Sequence, residues 1–252
     1  EAAFRKRYAA LLELYRAERY TEAYDGYYAL AKEWPHGGTL GMVVASLAST
    51  APTKERALAL GDKADADPSN VLDQFVAGVS SHYYAHQSAP SKDEKLEFYR
   101  RTLKYLERVS PTYDHEPRTF IYRAVSHFRL GNQKDAEKAI DQAITLAVDD
   151  PDAFYCRAEI NQRTNADQSL KDLQVYIDMT REFKARGAVL SEAKERRVIR
   201  MRDHLLAVKA GKASNAEIFD PVEAEGDPLA DPAEPKKAPP PEPAPEAPKA
   251  AP

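Results

Sequence analysis

The chain has 252 residues, a formal net charge of −4 and a single cysteine, Cys156, with 43% hydrophobic and 30% charged residues. One cysteine excludes an internal disulfide framework, and no apolar run is long enough to cross a bilayer. The segment from Lys212 onward carries nine acidic residues and four lysines, or −5, which leaves +1 for the rest; that near-neutral balance argues against a dedicated nucleic-acid binder, which shows a strongly basic face.

In chain order, the first unit runs from Phe4 to about Gly37. It is read as two helices and carries Tyr20, Ala23, Tyr27 and Leu30; the second helix is expected to start at Thr21 and to be closed by Pro35. A smaller, alanine-rich unit follows from Gly38 to Asn70, with a short first helix, Ala45, Ala57 and Ala64 at the small positions, and Asp67-Pro68 as its stop. Val71 to about Asp114 supplies Phe75, Ala77 and Gly78, then a second helix opened by Ser91-Lys92-Asp93-Glu94. That tetrad reads as a capping box in which serine and glutamate satisfy reciprocal amides. Pro35, Pro52, Pro68, Pro90, Pro111, Pro117 and Pro151 all fall at predicted helix boundaries, where a missing amide does no harm.

Pro117 to Asp150 and Pro151 to about Asp178 read as one helix-turn-helix unit written twice. Phe154, Arg157 and Ala158 match Phe120, Arg123 and Ala124 at a spacing of 34, and Gly131, Ala136 and Ala143 supply the turn glycine and further small residues. This pattern resembles the tetratricopeptide repeat (TPR), with the three earlier units as more degenerate copies. The resemblance implies an all-α, right-handed α-solenoid of about five helix pairs over residues 1–211, with a function in protein–protein interaction and no chemistry of its own. It carries groove-facing positions onto the first helix of each pair: Arg5, Tyr8, Leu12 and Tyr15; Phe75, Val79, His82 and Tyr83; Arg118, Ile121, Tyr122, Val125 and Arg129; Tyr155 and Glu159. Of these, Tyr8, Tyr15, Phe75, Tyr83, Arg118, Tyr122, Arg129 and Tyr155 are the candidate partner-binding residues, because Tyr and Arg concentrate binding energy at interfaces. The alternative is that some of these rings only fill space between repeats. The lysine and asparagine with which chaperone-binding TPR domains clamp a peptide carboxylate are replaced here by Tyr8 and Leu12, so a segment with apolar anchors is the expected ligand.

No phosphate loop, nucleophile elbow or zinc-finger pattern occurs, and no catalytic residue, cofactor or metal is expected. His82 and His86 share a helix face but lack a third ligand, and read as surface or rim residues. Cys156 reads as a small buried hydrophobe rather than a thiol activated by Arg157.

A helix from Ser191 to about Ala210, closed by Gly211, carries Val198, Met201, Leu205 and Val208 as one apolar stripe, with Arg196, Arg200, Arg202 and Lys209 on its other face. It reads as a terminal cap, one side sealing the last repeat and the other facing water. Arg181 to Lys212 holds ten basic and four acidic residues, so the alternatives to a protein scaffold are a grip on nucleic acid, anionic polymer or membrane, or a self-associating structural protein. Residues 212–252 hold eleven of the eighteen prolines and are expected to be a disordered spacer or tether with polyproline II bias. Ala216-Glu217-Ile218-Phe219-Asp220-Pro221 is its apolar cluster, able to fold back or to dock elsewhere. The chain begins at Glu1 without Met, as a processed or shortened chain would, and the tail resembles the spacers of bacterial envelope proteins. A periplasmic or cell-envelope location is therefore expected, with the cytoplasm as the alternative.

Overall fold

The computed structural model describes residues 2–34, 38–50, 52–109, 113, 115–188 and 192–213. Among them are eleven α-helices and no strand: α1 Ala2–Arg16, α2 Tyr20–Glu33, α3 Gly38–Ala48, α4 Lys54–Ala66, α5 Val71–Gln87, α6 Lys92–Leu106, α7 Pro117–Arg129, α8 Gln133–Leu146, α9 Pro151–Asn161, α10 Ala166–Ala185 and α11 Glu192–Lys209. They follow one another as five pairs and a closing helix, the all-α repeat arrangement expected. The expectations placed on Pro35, Pro111, Ser191 and the tail, including the apolar cluster at Ala216 to Pro221, lie outside the described residues.

Helix starts are set by local chemistry. Pro117 and Pro151 occupy the first turns of α7 and α9, where an amide would have no intrahelical partner. Thr53, Asn70, Asn165 and Asp150 accept early amides of α4, α5, α10 and α9 with their side chains. Two expected starts differ. Helix α2 begins at Tyr20, not Thr21, and no side chain caps it; instead the guanidinium of Arg19 grips Glu22 in the first turn. At α6, Ser91 accepts the Glu94 amide at 3.3 Å as expected. The Glu94 carboxylate, however, turns to the Tyr84 hydroxyl and the Lys54 ammonium rather than closing the box. A charged partner outbids a neutral amide. Beyond the end of α7 and its cap Leu130, the chain turns at Gly131, whose φ of +81° a side chain would resist; the amides of Gly131 and Asn132 reach back to the carbonyls of Phe128 and His127.

Packing is hairpin-like within α5–α6, α7–α8 and α9–α10, and α5, α7 and α9 lie in a row with α11 set against α10. The alanine-rich second pair departs from this plan. Helix α3 packs mainly on α2 and α5, and α4 mainly on α5, with Arg56 of α4 donating to the Leu47 carbonyl of α3 at 3.3 Å. The cause is composition: α3 is apolar nearly all round, burying Leu40, Val44, Ala45, Leu47 and Ala48, so it needs cover on two sides.

Small residues set the close crossings. Ala124, Ala136, Ala143 and Ala158 are wholly buried, and a Cβ on Gly78 would lie 2.6 Å from the Leu106 side chain where α5 meets α6. The spacing of 34 also repeats a contact: Arg123 lies 5.4 Å over the Phe120 ring and Arg157 lies 5.7 Å over Phe154. Gly78→Ala and Ala136→Leu should each lower stability by about 1–3 kcal/mol through overpacking, read as a lower urea midpoint with unchanged slope.

Candidate functional site

A cavity of about 300 Å³ opens on the side of the solenoid lined by α5, α7, α9 and α11. Helical periodicity builds it. Arg118, Ile121, Tyr122 and Val125 occupy i, i+3, i+4 and i+7 on α7, and Asp152, Tyr155, Cys156 and Glu159 occupy the same positions of α9, 34 residues on. His82, Tyr83 and His86 of α5 close one flank and Lys194 and Arg197 of α11 the other.

Two ion-pair relays cross this surface from helix to helix. Arg118 donates to Asp152 at 2.9 Å and lies 3.3 Å from Asp150, and Lys194 meets the other oxygen of Asp152. Deeper in, one oxygen of Glu159 accepts from Arg129 at 2.9 Å and from Arg197 at 2.8 Å. Burial works against ionising Glu159, yet the two guanidinium groups outweigh it and hold its pKa below the usual value. Lys194 also lies 4.9 Å over the Tyr155 ring.

The polar atoms between these relays are less well served. The hydroxyls of Tyr83 and Tyr122 share one hydrogen bond of 3.2 Å. The Tyr155 hydroxyl and Nδ1 of His82 are buried without a hydrogen-bond partner among the described residues, a cost of about 1–3 kcal/mol apiece. The His82 ring lies 4.6 Å from that of Tyr122 and stacks on His86 at 5.9 Å. Burial, reinforced by His86 and Arg129, pushes the His82 pKa well below its ordinary value. His86 is lowered as well, to about 4, by burial among the groove walls and then by Arg129, although the residue as a whole keeps exposed surface. Cys156 is buried, and its thiol is pushed up to about 12. At neutral pH it is a thiol and not a nucleophile. Its neighbour Arg157 turns instead to Asp172 and Asp141.

Tyr83, Arg118, Tyr122 and Tyr155, expected from the sequence to face the groove, meet in this one cavity. Arg129 lies beneath it, buried in the Glu159 relay. Phe75 is fully buried and stacks on Tyr113 at 4.4 Å, in the core rather than on the cavity wall. Tyr8 and Tyr15 stand on α1, which packs on α2 away from the cavity; Tyr8 lies against Phe4 and Tyr27, and Tyr15 is exposed beside Tyr20. His82 is buried and lines the cavity, a correction to its reading as a surface or rim residue, because α7 brings Tyr122 over it. Lys194 and Arg197 were not singled out by sequence. The cap's periodicity separates an apolar stripe from its opposite face, but the groove meets a third edge between the two. Among the described residues no group of three His, Cys, Asp or Glu side chains is placed to hold a metal ion.

No protein-family model matches the chain, and no curated protein is similar to it in sequence. Among solved structures it resembles PilW, a type IV pilus biogenesis factor, at 14% identity with a TM-score of 0.51 over 86% of this chain and 90% of that one. It also resembles a thermophilic TPR protein from Thermus thermophilus, at 17% identity with a TM-score of 0.48 over 72% of this chain and 97% of that one. The fold is an all-α helical repeat like that of PilW, consistent with the TPR-like pattern of the sequence.

Two outcomes follow from the relays and the imidazole. Glu159→Gln leaves the buried guanidinium groups without their shared anion and should cost about 3–5 kcal/mol in urea unfolding. For His82, both folded and unfolded forms are neutral above its ordinary pKa of about 6.5; below that, the unfolded chain takes up a proton that the native site refuses. The thermal midpoint should therefore drop from pH 7 to pH 5, and His82→Gln should flatten that drop.

Proposed function

We propose that this protein is a non-enzymatic binding scaffold whose cavity between α5, α7, α9 and α11 receives a segment of a partner protein. The observation that carries the reading is the cavity itself: three successive first helices and the cap deliver aromatic, branched and charged side chains to one concave place, with a buried tyrosine hydroxyl and an imidazole nitrogen beside it left unpartnered. Sites that bind rather than react combine such apolar walls with a few fixed polar groups. The thiol is protonated, and the carboxylates are committed to ion pairs, so neither is poised as a nucleophile or general base.

The grip on an anionic polymer is less well supported. In the basic stretch Arg181, Lys184, Arg186, Lys194, Arg196, Arg197, Arg202 and Lys209 all lie against carboxylates. A phosphate backbone would have to displace them. A cell-envelope location rests on the Pro/Ala/Glu/Lys composition after Gly211, which suits a tether; the likeness to the pilus factor is one of fold. Among the described residues no helix is long and apolar enough to cross a membrane.

Tyr122 and Tyr155 are buried, so the test uses the more open Tyr83→Ala with Lys194→Ala, checked for unchanged helicity. In affinity capture from the native cell this variant should lose the protein that the intact chain retains. Retention of every captured protein would move binding out of the cavity.

A further inference from the structure

A helix that closes a repeat array is expected to turn a polar face to water. On α11, the last described helix, two large apolar residues break that rule. Ile199 and Leu206 are 44% and 49% exposed, and, seven positions apart, they stand on one face of the helix. Ile199 also lines a groove of about 340 Å³ between α10 and α11, together with Tyr176, Ile177 and Val198. The polar groups around this groove are already served. The Thr180 hydroxyl donates to the Tyr176 carbonyl, and Arg181, Lys184 and Arg202 lie against Asp178, Glu195 and Asp203. An occupant therefore has to bring apolar surface rather than charge.

The chain carries such surface a few residues beyond the same helix. Gly211 turns with a φ of +67°, and the amides of Gly211 and Lys212 return to the carbonyls of Val208 and Ala207 at 3.0 and 2.8 Å. These paired bonds close the helix and fix where the chain leaves it, beside Ala207 and so next to Leu206. Ile199 lies about 12 Å before Ala207 along the helix at 1.5 Å per residue. Ala213 is the last described residue; Ile218 and Phe219, adjacent and both large and apolar, follow it within about 16–20 Å of extended chain. Reach is met with slack. A short flexible linker also holds its segment at a roughly millimolar effective concentration, so the chain's own segment fills the groove ahead of one supplied by a second copy in dilute solution.

We propose that Ala216 to Pro221 folds back within the same chain onto α11, laying Ile218 and Phe219 over Leu206 and Ile199 at the mouth of the α10–α11 groove. Glu217 and Asp220 then stay in water, and the Pro-rich remainder of the chain starts from a closed end of the solenoid. The groove and the cavity share no lining residue, so this contact stands or falls independently of the cavity's ligand.

Trp34 is the single tryptophan of the chain, so Phe219→Trp in a full-length Trp34→Phe background gives an indole signal from the segment alone. The expected emission is blue-shifted, and addition of Ile199→Asp, Leu206→Asp or Ile218→Asp should move it to that of an indole in water, with helicity unchanged. The last of these lies outside the helices and leaves their packing untouched. The blue shift should persist over a hundredfold dilution, as a contact within one chain does, and in about 1 M salt, as an apolar contact does. Emission of a water-exposed indole from the start overturns the proposal. So does a blue shift that survives both Ile199→Asp and Leu206→Asp, which puts the segment elsewhere. A shift lost on dilution gives the groove to a second copy, and one lost in salt gives the segment to charged partners; either result overturns it as well.

Discussion

The carboxylate of Glu159, held by Arg129 of α7 and Arg197 of α11, ties three helices through one oxygen atom. Taking these charges out of water is costly, and their attraction offsets the cost only while the geometry stays intact. A sliding of α7, α9 or α11 by one turn would leave a guanidinium buried without its anion. The relay therefore contributes to register more than to net stability, and the cavity above it inherits that register. Arg118, Asp152 and Lys194 repeat the device nearer the helix starts, where solvent makes each contact weaker.

With both ends of the concave surface pinned, the cap takes a part beyond sealing the last repeat. Val198, Met201 and Leu205 of α11 are buried in the core they share with Leu173 and Tyr176, as a cap requires. One edge of the same helix presents Lys194 and Arg197 to the cavity, and the outward edge pairs Arg196 with Glu192 and Lys209 with Asp167. Positive charge in this helix is thus distributed by face: inward cations are committed to the carboxylates of α9, and outward ones to surface partners.

Architecture was legible because the two best repeats agree in punctuation, small residues and aromatic positions at once, and the meeting of Arg118, Tyr122 and Tyr155 on one side follows from that shared register. What sequence left open has physical causes. An aromatic on a first helix can serve core or groove equally well, and Phe75 went to the core because Tyr113 stacks over it. Helix α2 starts one residue before the hydroxyl expected to cap it, since Arg19 and Glu22 settle its first turn by ion pairing. The partner of Glu94 is Lys54, 40 positions away in the chain, which no local motif contains. Lys194 and Arg197 were hidden because the charge pattern of a helix gives its faces but not its rotation about the neighbour it packs on.

Helix α5 belongs to two cores. Phe75, Val76 and Val79 join the residues of α2 and α3, whereas Tyr84 and Ala85 near its C-terminal end join the larger cluster that runs through α7, α9 and α11. A linear array held by nearest-neighbour contacts need not open all at once. With α3 and α4 packed mainly on α5, the first four helices can open ahead of the rest, and Ala57 of α4 is the buried side chain that the larger core gives up when they do. Amide exchange in α1 to α4 would then proceed by a partial opening, and that in α7 to α9 only by the global one, so the domain would come apart in an order, from its N-terminal end, with α5 as the seam.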